Sequence, residues 1–246
     1  MLNSTAVGRV VALYRYPVKS MAGEMVETAR VWWHGFEGDR RYAFVQAGTT
    51  SAFPWLTARE YPELLHYRPS FRDPADPARS AIDVHTPEGA LLPIESNDLR
   101  LAIETRAGRR VYLLQLGRGT VDSMAVSLLS RASLESMSVE AGLALDARRF
   151  RANIVVESFA GLPYAEENWI GGLLVFGDRP DSARIQAVRK DRRCMIVNLD
   201  PDTAEQDPRV LRSIVRSREE CFGIYGTVLQ PGTIAIGDVI QLIKAG

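Results

Sequence analysis

The stretch "VRKDRRCMIVNLDPDT" (188–203) sets Cys194 between a basic run (Arg189, Lys190, Arg192, Arg193) and an acidic turn. From Cys194 to Asp200 the residues alternate in polarity and include β-branched side chains, which predicts a strand over 194–200. Alternation puts Met195, Val197 and Leu199 on a core face, and Cys194, Ile196 and Asn198 on the other, toward which Arg192 also points. Guanidinium groups beside a thiol favour the thiolate, the form that attacks and binds metals. A free cysteine is equally at home as a small buried hydrophobe at the head of a strand, and this segment alone leaves the two readings even.

The same alternation recurs along the chain. It predicts strands over 9–16, 24–33, 40–46, 110–116, 149–157, 184–190 and 239–245. Helix signals are fewer. "TARE" (57–60) has the form of a capping box, although Pro62 keeps any helix short. "SRASLESMSVEAG" (130–142) predicts a helix with Leu134, Met137 and Val139 roughly on one side and Gly142 as its stop. A shorter helix is expected in 208–217. The proline-rich segment 67–89 reads as a long surface excursion with little regular structure. The expected architecture is mainly β, barrel-like sheets with a few helices, divided near residues 95–100 into units of 1–97 and 98–246.

Composition narrows the function classes. The 246 residues carry 30 Lys plus Arg against 30 Asp plus Glu, so no global field draws the chain to nucleic acid or to an acidic membrane. Any anion site must be built locally. The apolar run near the N-terminus is short and broken by Arg9 and Arg15, and no run elsewhere approaches membrane-spanning length, so a cytoplasmic protein is expected. The chain has two cysteines, Cys194 and Cys221. An iron–sulfur cluster of plant or bacterial type needs four thiolates, so this chain is not expected to hold one unaided.

Other segments offer anion-binding groups. In "RFRANIVVE" (149–157), Phe150, Ala152, Ile154 and Val156 form an apolar face, leaving Arg149, Arg151, Asn153 and Val155 opposite; Arg-x-Asn there offers a guanidinium fork beside an amide. In "YPVKSMAGE" (16–24), Pro17 ends a strand and Lys19-Ser20 lie in a turn whose ammonium and hydroxyl suit a phosphate. The glycine run of a Walker loop is missing. "GFEGDRRYAFV" (35–45) sets a Gly-flanked turn before Asp39 and Arg40. Taken singly, each reads as well as solvated surface.

Together, "YPVKSMAGE", "GDRRYAFV", "RFRANIVV", "RRCMIVNLDPDT" and "QPGTIAIGDVIQL" follow the order and rough spacing of MOSC proteins, the family named after the C-terminal domain of molybdenum cofactor sulfurase. The chain resembles the branch with an N-terminal MOSC β-barrel domain, which includes the mitochondrial amidoxime-reducing component and its bacterial relatives. The resemblance implies a MOSC-type barrel with a smaller N-terminal β domain, and a molybdenum–molybdopterin cofactor held through one cysteine, here Cys194. It implies cofactor contacts from Lys19, Ser20, Arg40, Arg151, Asn153, Arg192 and Arg193, and more weakly from Ser123 and Tyr225. It further implies two-electron reduction of small N-hydroxylated substrates, with electrons from a separate ferredoxin- or flavin-type protein. A sulfur carrier with a persulfide on Cys194, or a non-catalytic cofactor carrier, needs the same pocket. Asp200 and Asp202 offer proton shuttles but read better as a turn. The departures are Ala204 where the family's "DPDTG" has glycine, Ser123-Met124 where it has a threonine–serine pair, and Ala58 in place of a glutamine in "WLTAR". His34, His66 and His85 show no ligand spacing. One of Trp32 and Trp33 is expected in the core, and Cys221 as a small hydrophobe before an aromatic turn.

Overall fold

The computed structural model describes residues 3–116 and 123–244. Its first half contains β1 (Asn3–Arg15), β2 (Glu24–Val26), β3 (Thr28–Trp32), β4 (Gly35–Phe36), β5 (Tyr42–Gln46), β6 (Arg68–Phe71), β7 (Ile82–His85), β8 (Leu91–Pro93), α1 (Asn97–Ala107) and β9 (Val111–Gln115). The second half contains β10 (Val126–Ser130), α2 (Arg131–Ala141), β11 (Ile154–Ser158), β12 (Leu173–Phe176), β13 (Arg184–Arg192), α3 (Arg209–Arg218), β14 (Cys221–Gln230), β15 (Gly232–Ala235) and β16 (Val239–Lys244). The fold is mainly β, as the alternation predicts.

Seven strands close on themselves in the order β1-β11-β10-β14-β13-β12-β16, with β16 returning to β1. Within this barrel only β10 and β11 run parallel. The long strand β1 bends to meet both neighbours through register shifts at Ala6/Gly8 and Val10/Ala12, the local kinks that let a sheet curl shut. A Cβ on Gly8 would stand 2.7 Å from the main-chain oxygen of Glu157, so β1 and β11 approach closely there only with glycine. The barrel interior is filled by Val10, Leu13, Ile154, Val156, Phe176, Ile185, Ile224 and Ile240. A second core gathers Tyr42, Phe44, Tyr61, Tyr67, Val84, Leu99 and Ile103 from residues between Val18 and Val111. Strand β1 therefore belongs to the barrel, and the expected division between 97 and 98 falls at the start of α1, which packs in the second core. A third cluster seats α2 and α3 against Leu129, Phe150, Val197 and Phe222.

Several elements differ from the sequence reading. Residues 195–199 are not a strand. Met195–Asn198 form a 3-10 turn, because Val197 packs into the helical cluster while Leu199 packs with Ala58 and Leu65 of the first half, and one extended strand does not serve both. The strand expected over 149–157 starts at Ile154, after a 3-10 turn Ala147–Phe150 and Arg151 at φ 50°. Segment 24–33 is broken into β2 and β3 at Glu27. The segment 67–89, expected to have little regular structure, contains the paired strands β6 and β7, whose Phe71, Ile82 and Val84 are buried in the second core. Helix α2 is as expected, capped by the Ser130 side chain and ended by Gly142 at φ 62°, except that Val139 faces solvent. Trp32 and Trp33 are both exposed, edge to face with centroids 6.4 Å apart. Cys221 opens a long strand, not a turn. Of the strand predicted over 239–245, Ala245 lies outside the described residues.

Candidate functional site

A cleft partly open to solvent lies where one end of the barrel meets the part of the chain built on the second core. Each wall comes from a place where regular structure stops. Pro17 ends the pairing of β1, and the chain turns so that Lys19 N donates to Tyr42 O at 2.8 Å. The β4–β5 turn brings Arg40, whose N donates to Tyr16 O at 2.7 Å. Arg151 follows the 3-10 turn ahead of β11, and Cys194 follows the last residues of β13. Ser127 and Tyr225 face each other across the β10–β14 pair. Ser20, Arg40 and Arg151 all hold positive φ (65°, 48° and 50°), a conformation unfavourable for side-chain-bearing residues, and all three line the cleft. Tyr164, Ala204, Glu219 and Glu220 hold positive φ elsewhere, so the strain at these three positions points to function only together with the chemistry of the cleft.

The guanidinium groups are built in. Arg40 pairs with buried Asp39 and donates to Arg151 O at 2.8 Å and Asn153 Oδ1 at 3.5 Å. Asp39 is itself held by Tyr16 N at 2.7 Å. Arg151 Nη1 donates to Met21 O at 2.7 Å. Both guanidinium carbons stack on the ring of buried Tyr16, at 5.1 Å for Arg40 and 4.3 Å for Arg151. Burial pushes the Tyr16 phenol well above its ordinary range, so it stays neutral. Arg193 is fixed by Phe222 O and Phe150 O, each at 2.7 Å, and by Asp191 at 2.7 Å. Ser127 Oγ donates to the same Asp191 oxygen at 2.7 Å. Burial raises the Asp191 carboxyl, against the lowering pull of Arg193, Ser127 and Tyr225.

Eight of the ten residues expected from the sequence line this cleft: Lys19, Ser20, Arg40, Arg151, Arg192, Arg193, Cys194 and Tyr225. Cys194 is exposed. Arg192 has its guanidinium turned to Glu220 (Nε to Oε2 2.6 Å), and Arg193 is engaged as above, so the two arginines before the cysteine are held by partners other than its sulfur. Asn153 lies behind the wall. Its amide ties Arg40 to Ser127 N at 3.2 Å and to Tyr14 O at 3.3 Å. Ser123 is exposed and is not part of the lining. Arg149 turns away to Asn198 O and Asp200. Asp200 and Asp202 do not line the cleft; Asp200 Oδ1 accepts from the amides of Asp202 and Thr203 at 3.0 Å, the turn reading.

Ser127 and Asp191 are lining residues that the sequence reading missed, along with Thr57 and Arg59 of the "WLTAR" segment. A signal for Asp191 existed: it is the one acid within the basic run, on the same parity as buried Ile185 and Ala187 of β13. Ser127 offered none, because β10 was not recognised. Among the described residues, no group of three or more His, Cys, Asp or Glu side chains is arranged to hold a metal. No helix among the described residues is long and apolar enough to cross a membrane.

Comparison with known proteins agrees with the geometry. The MOSC N-terminal beta barrel domain matches residues 7–122, and the MOSC domain matches residues 116–241. Mitochondrial amidoxime-reducing component 1 of Mus musculus is 30% identical over 135 residues, covering 50% of this chain and 37% of that protein. Molybdenum cofactor sulfurase of Danio rerio is 36% identical over 80 residues, covering 32% of this chain and 9% of that one. The chain thus spans well under half the length of these curated relatives. The YuaD protein of Bacillus subtilis has the same fold over 100% of both chains, with a TM-score of 0.53 at 15% identity. Motifs, barrel and profile matches agree: the chain belongs to the MOSC family.

Proposed function

We propose that the cleft holds a molybdenum–molybdopterin cofactor and that the protein reduces small N-hydroxylated substrates by two electrons. The observation that carries this reading is an exposed thiol, Cys194, on the wall of a cleft lined, among the described residues, by six cationic side chains and one carboxyl group. The residues fit such a group. The cofactor bears a phosphate and a dithiolene, and an overall neutral chain must gather cations locally to bind them. Guanidinium groups held by buried carboxyl groups and backbone oxygens are already oriented for that task. Lys19, Ser20, Arg40, Arg151 and Arg193 would hold its anionic parts, and Cys194 would anchor the metal, a soft thiolate suiting a covalent metal centre. When bound, the cofactor supplies the two-electron chemistry.

The chain's own residues bind, orient and exclude water. Arg40 and Arg151 keep one orientation because both stack on Tyr16, and Phe53, Thr57 and Arg59 wall the cleft from the side of the second core. Two cysteines are too few for an iron–sulfur cluster within these 246 residues, so a ferredoxin- or flavin-type donor outside them supplies the electrons in this reading. Molybdenum analysis of protein from a cofactor-producing host tests the reading. Near-stoichiometric metal in the wild type, lost in Cys194→Ala, supports it; metal and reductase activity both retained in that variant overturns it.

The exposure of Cys194, with the match to the sulfurase, supports a second reading, in which the thiol carries sulfur as a persulfide. One additional sulfur on Cys194 in protein free of molybdenum would favour it. Molybdenum bound without any turnover would leave the protein a cofactor carrier.

A further inference from the structure

Reduction of an N–O bond consumes protons as well as electrons. For an N-hydroxy substrate the balance is R–NH–OH + 2 e⁻ + 2 H⁺ → R–NH₂ + H₂O: the N–O bond breaks, the nitrogen gains a proton, and the oxygen leaves as water. The electrons come from the ferredoxin- or flavin-type donor of the proposed function. The lining of the cleft is poor in acids that release a proton near neutral pH. Its arginines do not deprotonate in proteins, and Cys194 is committed as the anchor in the reading above. Among the described residues, the one carboxyl in the lining is Asp191, which is 1% exposed.

Its surroundings are those of a relay, not of a surface ion pair. Asp191 Oδ2 accepts from Ser127 Oγ at 2.7 Å and meets Arg193 Nη2 at 2.7 Å, and the Tyr225 side chain lies beside the carboxyl. Its other oxygen, Oδ1, is buried with no hydrogen-bond partner among the described residues. An ionised carboxylate with one oxygen dry and unbonded is costly, and the neutral acid relieves that cost. Arg193 and the more distant Arg40 oppose the shift, and burial outweighs them; nearby Cys221 is neutral. Tyr225 and Ser127 line the cleft together with Asp191, so each hydroxyl is placed to pass a proton from the carboxyl to a bound substrate.

We propose that Asp191 is the proton store of the cleft, delivering its proton to the substrate through the hydroxyl of Tyr225. The proposal rests on the reductase reading and deepens it. Asp191 acts through its neighbour, and it is recharged from solvent after product leaves.

The test uses molybdenum-loaded protein, benzamidoxime as the probe substrate and a reduced viologen as the electron source, on wild type, Asp191→Asn and Tyr225→Phe. In the wild type, kcat is expected to fall as pH rises through the titration of Asp191, since the acid form is the active one. Asp191→Asn is expected to retain molybdenum, to lose kcat by on the order of 100-fold and to lose that pH dependence. Infrared spectroscopy of the cofactor-free protein supplies a readout apart from turnover: a protonated-carboxyl band at neutral pH, absent in Asp191→Asn and present in Tyr225→Phe. If Asp191→Asn fails to fold, Tyr225→Phe carries the test, with a comparable loss of kcat while the carboxyl band persists. Variants that keep molybdenum and an unchanged kcat–pH profile would overturn the relay alone. Wild-type protein with neither molybdenum nor turnover would overturn the reductase reading and the relay with it. An Asp191 that only holds Arg193 would change metal content or KM and leave the pH profile as it is, which also overturns the relay.

Discussion

Arg40 Nη2 donates to the main-chain oxygen of Arg151 at 2.8 Å, joining residues 111 positions apart, and the two guanidinium groups lie on one ring, that of Tyr16. The ring is the shared platform of the anion-binding wall. The Tyr16 hydroxyl is buried and has no hydrogen-bond partner among the described residues, so it contributes nothing that phenylalanine would lack. Tyr16→Phe should be neutral or stabilising by up to about 1 kcal/mol, and should keep the metal. Tyr16→Leu removes the platform and should destabilise by about 2 kcal/mol or more while lowering molybdenum content. Urea midpoints and metal analysis on both variants check the pair.

A second prediction concerns the turn after the cysteine. Ala204 sits at φ 58°, where the resembled family motif has glycine. The left-handed conformation costs an L-residue roughly 1–2 kcal/mol, and glycine avoids that cost while losing some chain entropy on folding. The Ala204 methyl packs partly against the Ala58–Leu65–Leu199 cluster, which trims the gain. Ala204→Gly should stabilise by about 0.5–1 kcal/mol, measurable as a raised urea midpoint with unchanged slope. A lowered midpoint would mean that the methyl contact outweighs the strain.

Barrel strands such as β1, β13 and β16 were legible because their side chains alternate in polarity over many residues. Strand β14 was not, since Gly223 and Gly226 made "CFGIYG" look like a turn; a Cβ on Gly223 would stand 2.6 Å from Leu128 O, so that glycine marks a close strand approach. Helix α1 was missed although Ser96 caps it and Gly108 ends it at φ 64°, because only Leu99 and Ile103 of its residues are buried and no broad apolar stripe develops. At the site, residues carried by local motifs were legible. Ser127 and Asp191 were not, because their position depends on which strands pair: Ser127 meets Tyr225 across β10 and β14, a long-range register that no local pattern encodes.

Asp200 gives a prediction with a sign. Partial burial raises its carboxyl, but the amides of Thr203 and Asp202 and the Arg149 guanidinium at 2.7 Å outweigh that, so the folded pKa lies below the ordinary value. A depressed carboxylate contributes stability that is present above its unfolded pKa of about 3.9 and is lost as pH falls through the folded value. Asp200→Asn should cost about 1–3 kcal/mol at pH 7, since it leaves the nearly buried Arg149 without its charge partner. The difference between wild type and variant should shrink as pH is lowered from about 5 toward 3. Urea unfolding across that range measures it, and a constant difference would show that Asp200 acts through packing alone.

The two cysteines should also be separable by reactivity. Cys194 is exposed at the cleft, whereas Cys221 is only partly exposed, and burial raises its thiol above the ordinary cysteine value. The thiolate is the reactive species, so both accessibility and ionisation disfavour Cys221. In cofactor-free protein at pH 7.5, iodoacetamide should alkylate Cys194 at least about tenfold faster than Cys221, as read by peptide mass spectrometry over time. Loading with molybdenum cofactor should then protect Cys194 and leave the slow labelling of Cys221 unchanged, because only the first would be bound at the metal. Equal protection of both would point to a general closing of the fold around the cofactor, and no protection of Cys194 would remove it as the anchor.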